Sequence, residues 1–244
     1  MRPLRPPTAS LLVLLALTVS CGGGSTRRPD YFATLPPGAE LPTGKQCTDW
    51  VRRSSWEPRP ENAQANHTRG RSGVLIDGAS DDFNARFAGR IDGDFTGTTD
   101  EIIQWGACKW GFDEDIVRAQ VVVESWWRQS TTADDYSSFG LLQVRTSVHR
   151  GTFPLVRDST AFAIDYALSW RRACFEGDLV WLNAPYKHGG YVKGDEWGCG
   201  GAWFSGDWND GDVNIPYSGA LPYIKEGKQR LAEHTWMRAD FKSP

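Results

Sequence analysis

From Thr98 onward the chain is punctuated for helices, and this restricts the fold more than any other feature. Thr98-Thr99-Asp100-Glu101 forms a capping box. Ile102, Ile103, Trp105, Ala107 and Trp110 follow it, and Gly111 closes the run. Asp113 is a second cap and opens a helix expected from Glu114 to Arg128. A third helix is expected from Ser159 to Gly177, with Phe162, Ala163, Tyr166, Ala167 and Trp170 as its apolar positions, and a shorter one from Ala220 to His234. After residue 98 no apolar alternation of strand length competes with these patterns, so the fold class expected is mostly α.

The N-terminal fifth reads differently. Arg2 and Arg5 precede an apolar run from Leu11 to Val19. That run is too short for the roughly 20 helical residues that a bilayer needs, so residues 1–20 read as an export signal. Leu17-Thr18-Val19-Ser20-Cys21 resembles a bacterial lipobox, with Thr18 where that pattern prefers Leu. The resemblance implies lipidation of Cys21 and a membrane-anchored protein facing the cell wall. Residues 21–45 are rich in Gly, Pro, Ser and Thr and read as a flexible linker. Residues 46–97 read as an irregular approach segment of loops, short strands or turns packed on the main domain, which spans 98–244. Asp92-Gly93-Asp94 lacks a calcium-loop frame and reads as turn chemistry.

Removing Cys21 leaves Cys47, Cys108, Cys174 and Cys199, which in an exported chain suggest two disulfides. Three pairings are open. None of these cysteines stands at C-x-x-C spacing, and His67, His149, His188 and His234 are scattered, so no metal site is expected. The net charge of −3 with no basic cluster argues against nucleic acid as a partner.

One glutamate is out of place. Glu124 interrupts a helix that carries Ile116, Val117, Val121, Val122, Val123, Trp126 and Trp127. At about 100° per residue, Val117, Val121 and Trp127 fall within about 60° of it. The carboxyl therefore sits on the apolar stripe near the helix C-terminus. Burial and the negative end of the helix dipole both raise its pKa, which is what a general acid needs. The bland alternative is a glutamate that reaches solvent or pairs with Arg128.

Glu124-Ser125, followed after a polar loop by Gly140-Leu141-Leu142-Gln143-Val144, resembles the catalytic segment of the SLT family of lytic transglycosylases. The resemblance covers roughly residues 98 to 200. Two family landmarks differ: the stretch after the glutamate reads Trp126-Trp127-Arg128-Gln129, and no Ala-Tyr-Asn motif is present, its place being taken by Trp181 to Tyr186 or by Tyr191. The resemblance implies a lysozyme-like α domain that cleaves the β-1,4 bond between N-acetylmuramic acid and N-acetylglucosamine in peptidoglycan. Glu124 would serve as acid and then base, giving 1,6-anhydro ends, with no cofactor. Ser125 would orient the carboxyl by a hydrogen bond. Gly140 would let the backbone approach a sugar, and Gln143 would offer it an amide. Trp126, Tyr136 and Tyr191 are the expected stacking residues. A hydrolase would need a second carboxylate, for which Asp134, Asp135 and Asp165 are candidates. A domain that binds glycan strands without cutting them is the alternative of a different class.

Overall fold

The computed structural model describes residues 29–241. The export signal, Cys21 and the linker as far as residue 28 lie outside the described residues. The architecture is mostly α. Three short helices come first, α1 (Gly44–Trp50), α2 (Ala63–Asn66) and α3 (Asp81–Phe87), and the main body follows with α4 (Thr99–Trp110) and α5 (Glu114–Ser125). Three two-residue strands, β1 (Thr132–Ala133), β2 (Ser138–Phe139) and β3 (Val144–Arg145), form a small antiparallel sheet in the order β1-β2-β3. Then come α6 (Leu155–Asp158), α7 (Thr160–Phe175), α8 (Glu196–Ser205) and α9 (Ala220–Ala232).

The expected caps are present. Thr98 and Glu101 close the capping box of α4, and Gly111 ends that helix at φ 64°. Asp113 accepts hydrogen bonds from the amides of Asp115 and Ile116, and Ser159 accepts one from Phe162. Helices α4 and α7 are buried along their whole length, which makes this pair the centre of the molecule. Helix α5 packs on α4 and α9, and α8 lies against α7 and α9.

Two expectations are corrected here. The linker expected to reach residue 45 ends earlier. Phe32 and Leu41 are buried, and Leu35 packs against the core. Backbone groups of this strap bond Gly111 and Glu114, while Arg172 donates to the carbonyls of Leu35 and Pro36 at 3.0 and 2.9 Å. Proline, threonine and isolated apolar residues here encode an extended strap, which has no helical period to reveal it. The second correction concerns α5. It stops at Ser125, and Trp126 and Trp127 both take left-handed backbone at φ 54° and 63°.

That early stop explains the approach segment. The carbonyls freed at Trp126 and Trp127 accept hydrogen bonds from Arg59 Nε at 2.9 Å and Asn62 Nδ2 at 2.8 Å. Asn62 Oδ1 also takes the Gln129 amide at 2.9 Å. The segment consists of helical turns and loops, without strands, and it fixes the end of α5.

The cysteines pair as Cys47–Cys108 and Cys174–Cys199. The first clips α1 to α4 and the second ties α7 to α8. Two disulfides fit a protein that folds in an oxidising, extracytoplasmic compartment. Among the described residues no helix is long and apolar enough to cross a membrane.

Candidate active site

Glu124 stands in the last turn of α5, above Val117 and Val121, both fully buried. Its carboxyl forms part of the wall of a cleft of about 420 Å³. The β-sheet residues Ala133, Ser138 and Arg145 line the same cleft, together with residues of α7, α8 and the turns around them. Burial pushes the Glu124 pKa up to about 8, and the nearby Asp134 adds to the rise. Tyr223 on α9 donates a hydrogen bond to Glu124 Oε1 at 2.7 Å, and the buried Arg171 is also close enough to favour the charged form. Burial outweighs both.

The partners of Glu124 are themselves held. Arg171 on α7 bonds Gln120 Oε1, one turn before Glu124 on α5, and faces Glu196 at 3.8 Å. Arg171 also lies close enough to Tyr223 and Glu124 to act on both through its charge. A buried polar group thus gathers Glu196, Gln120, Tyr223 and Glu124 around Arg171. It requires α8 to approach α5 closely, which Gly200 permits: a Cβ there would meet Gln120 Nε2 at 2.4 Å.

The floor and far wall of the cleft are aromatic. Trp170, Trp181, Trp203, Phe204 and Tyr217 line it together with His149. His149 stacks on Trp203 with ring centres 4.9 Å apart, and Trp203 donates to the Leu142 carbonyl at 2.9 Å. Burial pushes the His149 pKa down to about 4, so near neutral pH it is an uncharged flat ring behind the indole. Such a surface suits the apolar faces of sugar rings.

The residues expected from the sequence divide. Gln143 lines the cleft. Its Nε2 donates to the carbonyls of Thr131 and Gly140 at 3.0 and 2.7 Å, and its Oε1 is a buried acceptor without a protein partner. Ser125 does not hold the carboxyl. Its hydroxyl donates to the carbonyls of Val121 at 3.2 Å and Leu141 at 2.9 Å, stapling the end of α5 to the glycine-led turn. Gly140, at φ 81°, serves packing: a Cβ there would meet the Val156 carbonyl at 2.5 Å.

None of the three expected stacking residues is among those lining the cleft. The left-handed turn after α5 sends Trp126 against Phe241, at 5.2 Å. Tyr136 is 81% exposed at the tip of the β1–β2 hairpin, after Asp134 and Asp135 in consecutive left-handed positions. Tyr191 bonds the Cys174 carbonyl and packs on Trp208 at 5.1 Å.

Of the candidate second carboxylates, Asp134 lines the cleft and accepts from the Ser138 hydroxyl at 2.5 Å. Asp165 is excluded from it: its oxygens are taken by Lys109, Trp110 and the amides of Asp92 and Gly93. The Asp92-Gly93-Asp94 stretch is a turn in which the Asp94 amide bonds Asp92 Oδ1 at 2.9 Å.

Sequence reasoning missed Tyr223, Arg171 and most of the aromatic wall. Of that wall, only Trp181, inside the stretch set against the absent family motif, carried any signal. Comparison of the chain with family models, with curated proteins and with solved structures finds no match.

Proposed function

We propose that the chain is a peptidoglycan lytic transglycosylase, cutting the β-1,4 bond between N-acetylmuramic acid and N-acetylglucosamine. The observation that carries this reading is a carboxyl on the wall of an aromatic-lined cleft with its pKa pushed up to about 8. Such a group holds its proton at neutral pH and can deliver it. Glu124 donates that proton to the bridging oxygen as the bond to C1 of the muramic residue breaks. The substrate's N-acetyl oxygen shields the cationic carbon. The Glu124 carboxylate then takes the proton of the C6 hydroxyl, whose oxygen bonds C1 to close a 1,6-anhydro ring. The acid is regenerated and no water is consumed. Tyr223 steadies the carboxylate between the two steps.

Export and lipidation at Cys21 would bring this cleft to the wall, and the lipobox-like stretch and the two disulfides support that location. The presence of Asp134 in the same cleft favours one second reading, a hydrolase that activates water with this residue.

Mass analysis of muropeptides released from purified sacculi separates the two. Anhydro ends are expected from the wild type, and none from Glu124→Gln. Reducing ends would transfer the assignment to the hydrolase. Equal release by both proteins would end the assignment of Glu124 as the acid, and retention of sacculi without release by either would leave a glycan-binding protein.

A further inference from the structure

A second pocket adjoins the cleft. It encloses about 600 Å³ between the loop Arg71–Asp77 and the turn at Arg150 and Gly151, and Asp77 lines both cavities. The loop is held in place. Val74 and Ile76 are buried, and Asn84 brackets Ile76, accepting from its amide at 2.7 Å and donating to its carbonyl at 3.2 Å. Extended alternation then turns Leu75, 67% exposed, and Asp77 outward.

The positive charge of this face is only partly offset, by the Asp77 carboxylate acting on Arg150. Among the described residues, Arg71, Arg145 and Arg150 are the arginines with no side-chain hydrogen bond, no ion pair within 4.0 Å and no ring contact. Arg71 and Arg150 line the pocket, and Arg145 stands on the cleft side. In a chain of net charge −3, guanidinium groups with no hydrogen-bonded partner in two adjoining pockets can receive carboxylates. Sugar rings do not call for this charge, because the amide-bearing backbone of the glycan is neutral. The anionic part of a muramoyl glycan is the peptide that hangs from each lactyl group, and a strand lying in the cleft passes the mouth of the pocket at Asp77.

We propose that this pocket takes the peptide stem of the glycan strand whose sugars occupy the cleft, with Arg71 and Arg150 binding stem carboxylates, Asp77 accepting from stem amide or amine groups, and Leu75 covering an alanyl methyl. This assignment rests on the peptidoglycan reading of the cleft and adds a substrate preference to it: stem-bearing strands over bare ones.

The test measures binding to the full chain carrying Glu124→Gln, which removes cutting. The probes are a muramoyl tetrasaccharide with tetrapeptide stems and the same tetrasaccharide stripped by an amidase, with the lactyl carboxyls so freed capped as methylamides. The stem-bearing probe is expected to bind about tenfold more tightly, since a partly exposed ion pair supplies about threefold and two are involved. Adding Arg71→Gln and Arg150→Gln should bring the ratio near one and leave affinity for the stripped probe unchanged. Both side chains are exposed and donate no hydrogen bond, so the fold is not at stake. Equal affinity for the two probes, or a ratio that survives both substitutions, overturns the stem site while the cleft reading stands. Binding of neither probe overturns both. Competition by soluble poly(glycerol phosphate) as strong as by free stem peptide would reassign the pocket to a wall phosphodiester and overturn the stem.

Discussion

Asp165 on α7 and Glu124 on α5 are both acidic side chains set among apolar neighbours, and their surroundings differ in kind. Asp165 is fully buried and accepts from four protein donors: Lys109 Nζ at 2.8 Å, Trp110 Nε1 at 2.7 Å, and two backbone amides at 2.9 Å. It ties the Asp92 turn and α4 to α7. Glu124 has one hydroxyl at 2.7 Å and a cleft where further partners would stand. A buried carboxyl with a full set of donors is structure. One left with a single donor keeps its proton and is available for chemistry.

Substituting each by its amide should therefore have opposite consequences. Glu124→Gln is expected to lower release of muropeptides by at least about 10³, the scale of a lost general acid, while far- and near-ultraviolet circular dichroism stay unchanged. Asp165→Asn keeps the shape and removes the charge facing Lys109, which is itself buried. Breaking one side of such a pair costs about 3–5 kcal/mol. Urea unfolding should show that loss, with the activity of the remaining folded fraction close to that of the wild type. A stable, inactive Asp165→Asn protein would break the distinction drawn between the two sites.

The same contrast shows what could be read without coordinates. Glu124 was legible because a helix period exposes any polar residue that falls on its apolar stripe. The caps at Thr98, Asp113 and Ser159 fixed where three helices start. The stop of α5 was not legible, since nothing in Trp126-Trp127-Arg128 forbids another turn. Helix α8 was hidden by Gly198, Gly200 and Gly201, which lower helix propensity. Their reason is contact, because a Cβ at each would meet Trp208, Gln120 or Ile224 within 3 Å. The aromatic wall gathers Trp170, Trp181, Trp203 and Tyr217 from elements far apart in sequence, and proximity of that kind leaves no local pattern. Tyr223 and Arg171 were invisible for the same reason.

Stability as a function of pH sharpens the comparison further. Glu124 has its pKa raised from 4.5 to about 8 in the folded chain. Between those values the native state binds more protons than the unfolded state, so this residue costs stability as pH rises through the window. Glu124→Gln removes that cost. The variant should match the wild type near pH 4 and gain with rising pH. The gain should level off above pH 8 at about 3 kcal/mol, once partial solvent access at the cleft is discounted. Thermal melts of both proteins across that range give the curve. A difference that stays flat with pH would mean that Glu124 titrates as an exposed carboxylate and is not the acid.

The smallest expected effect tests the single donor itself. The Tyr223 hydroxyl stabilises the charged form of Glu124 and holds its pKa below the level that burial alone would set. Tyr223→Phe removes that hydrogen bond and leaves the ring, which stacks on Phe204 at 4.7 Å, in place. The carboxyl should become a weaker acid, and the alkaline limb of the rate profile should move up by about one pH unit, as expected for one hydrogen bond to an ionised group. The maximal rate should fall as well, because the second step needs the carboxylate as a base and the variant stabilises it less. An alkaline limb that does not move, in a variant of normal stability, would show that Tyr223 is packing alone.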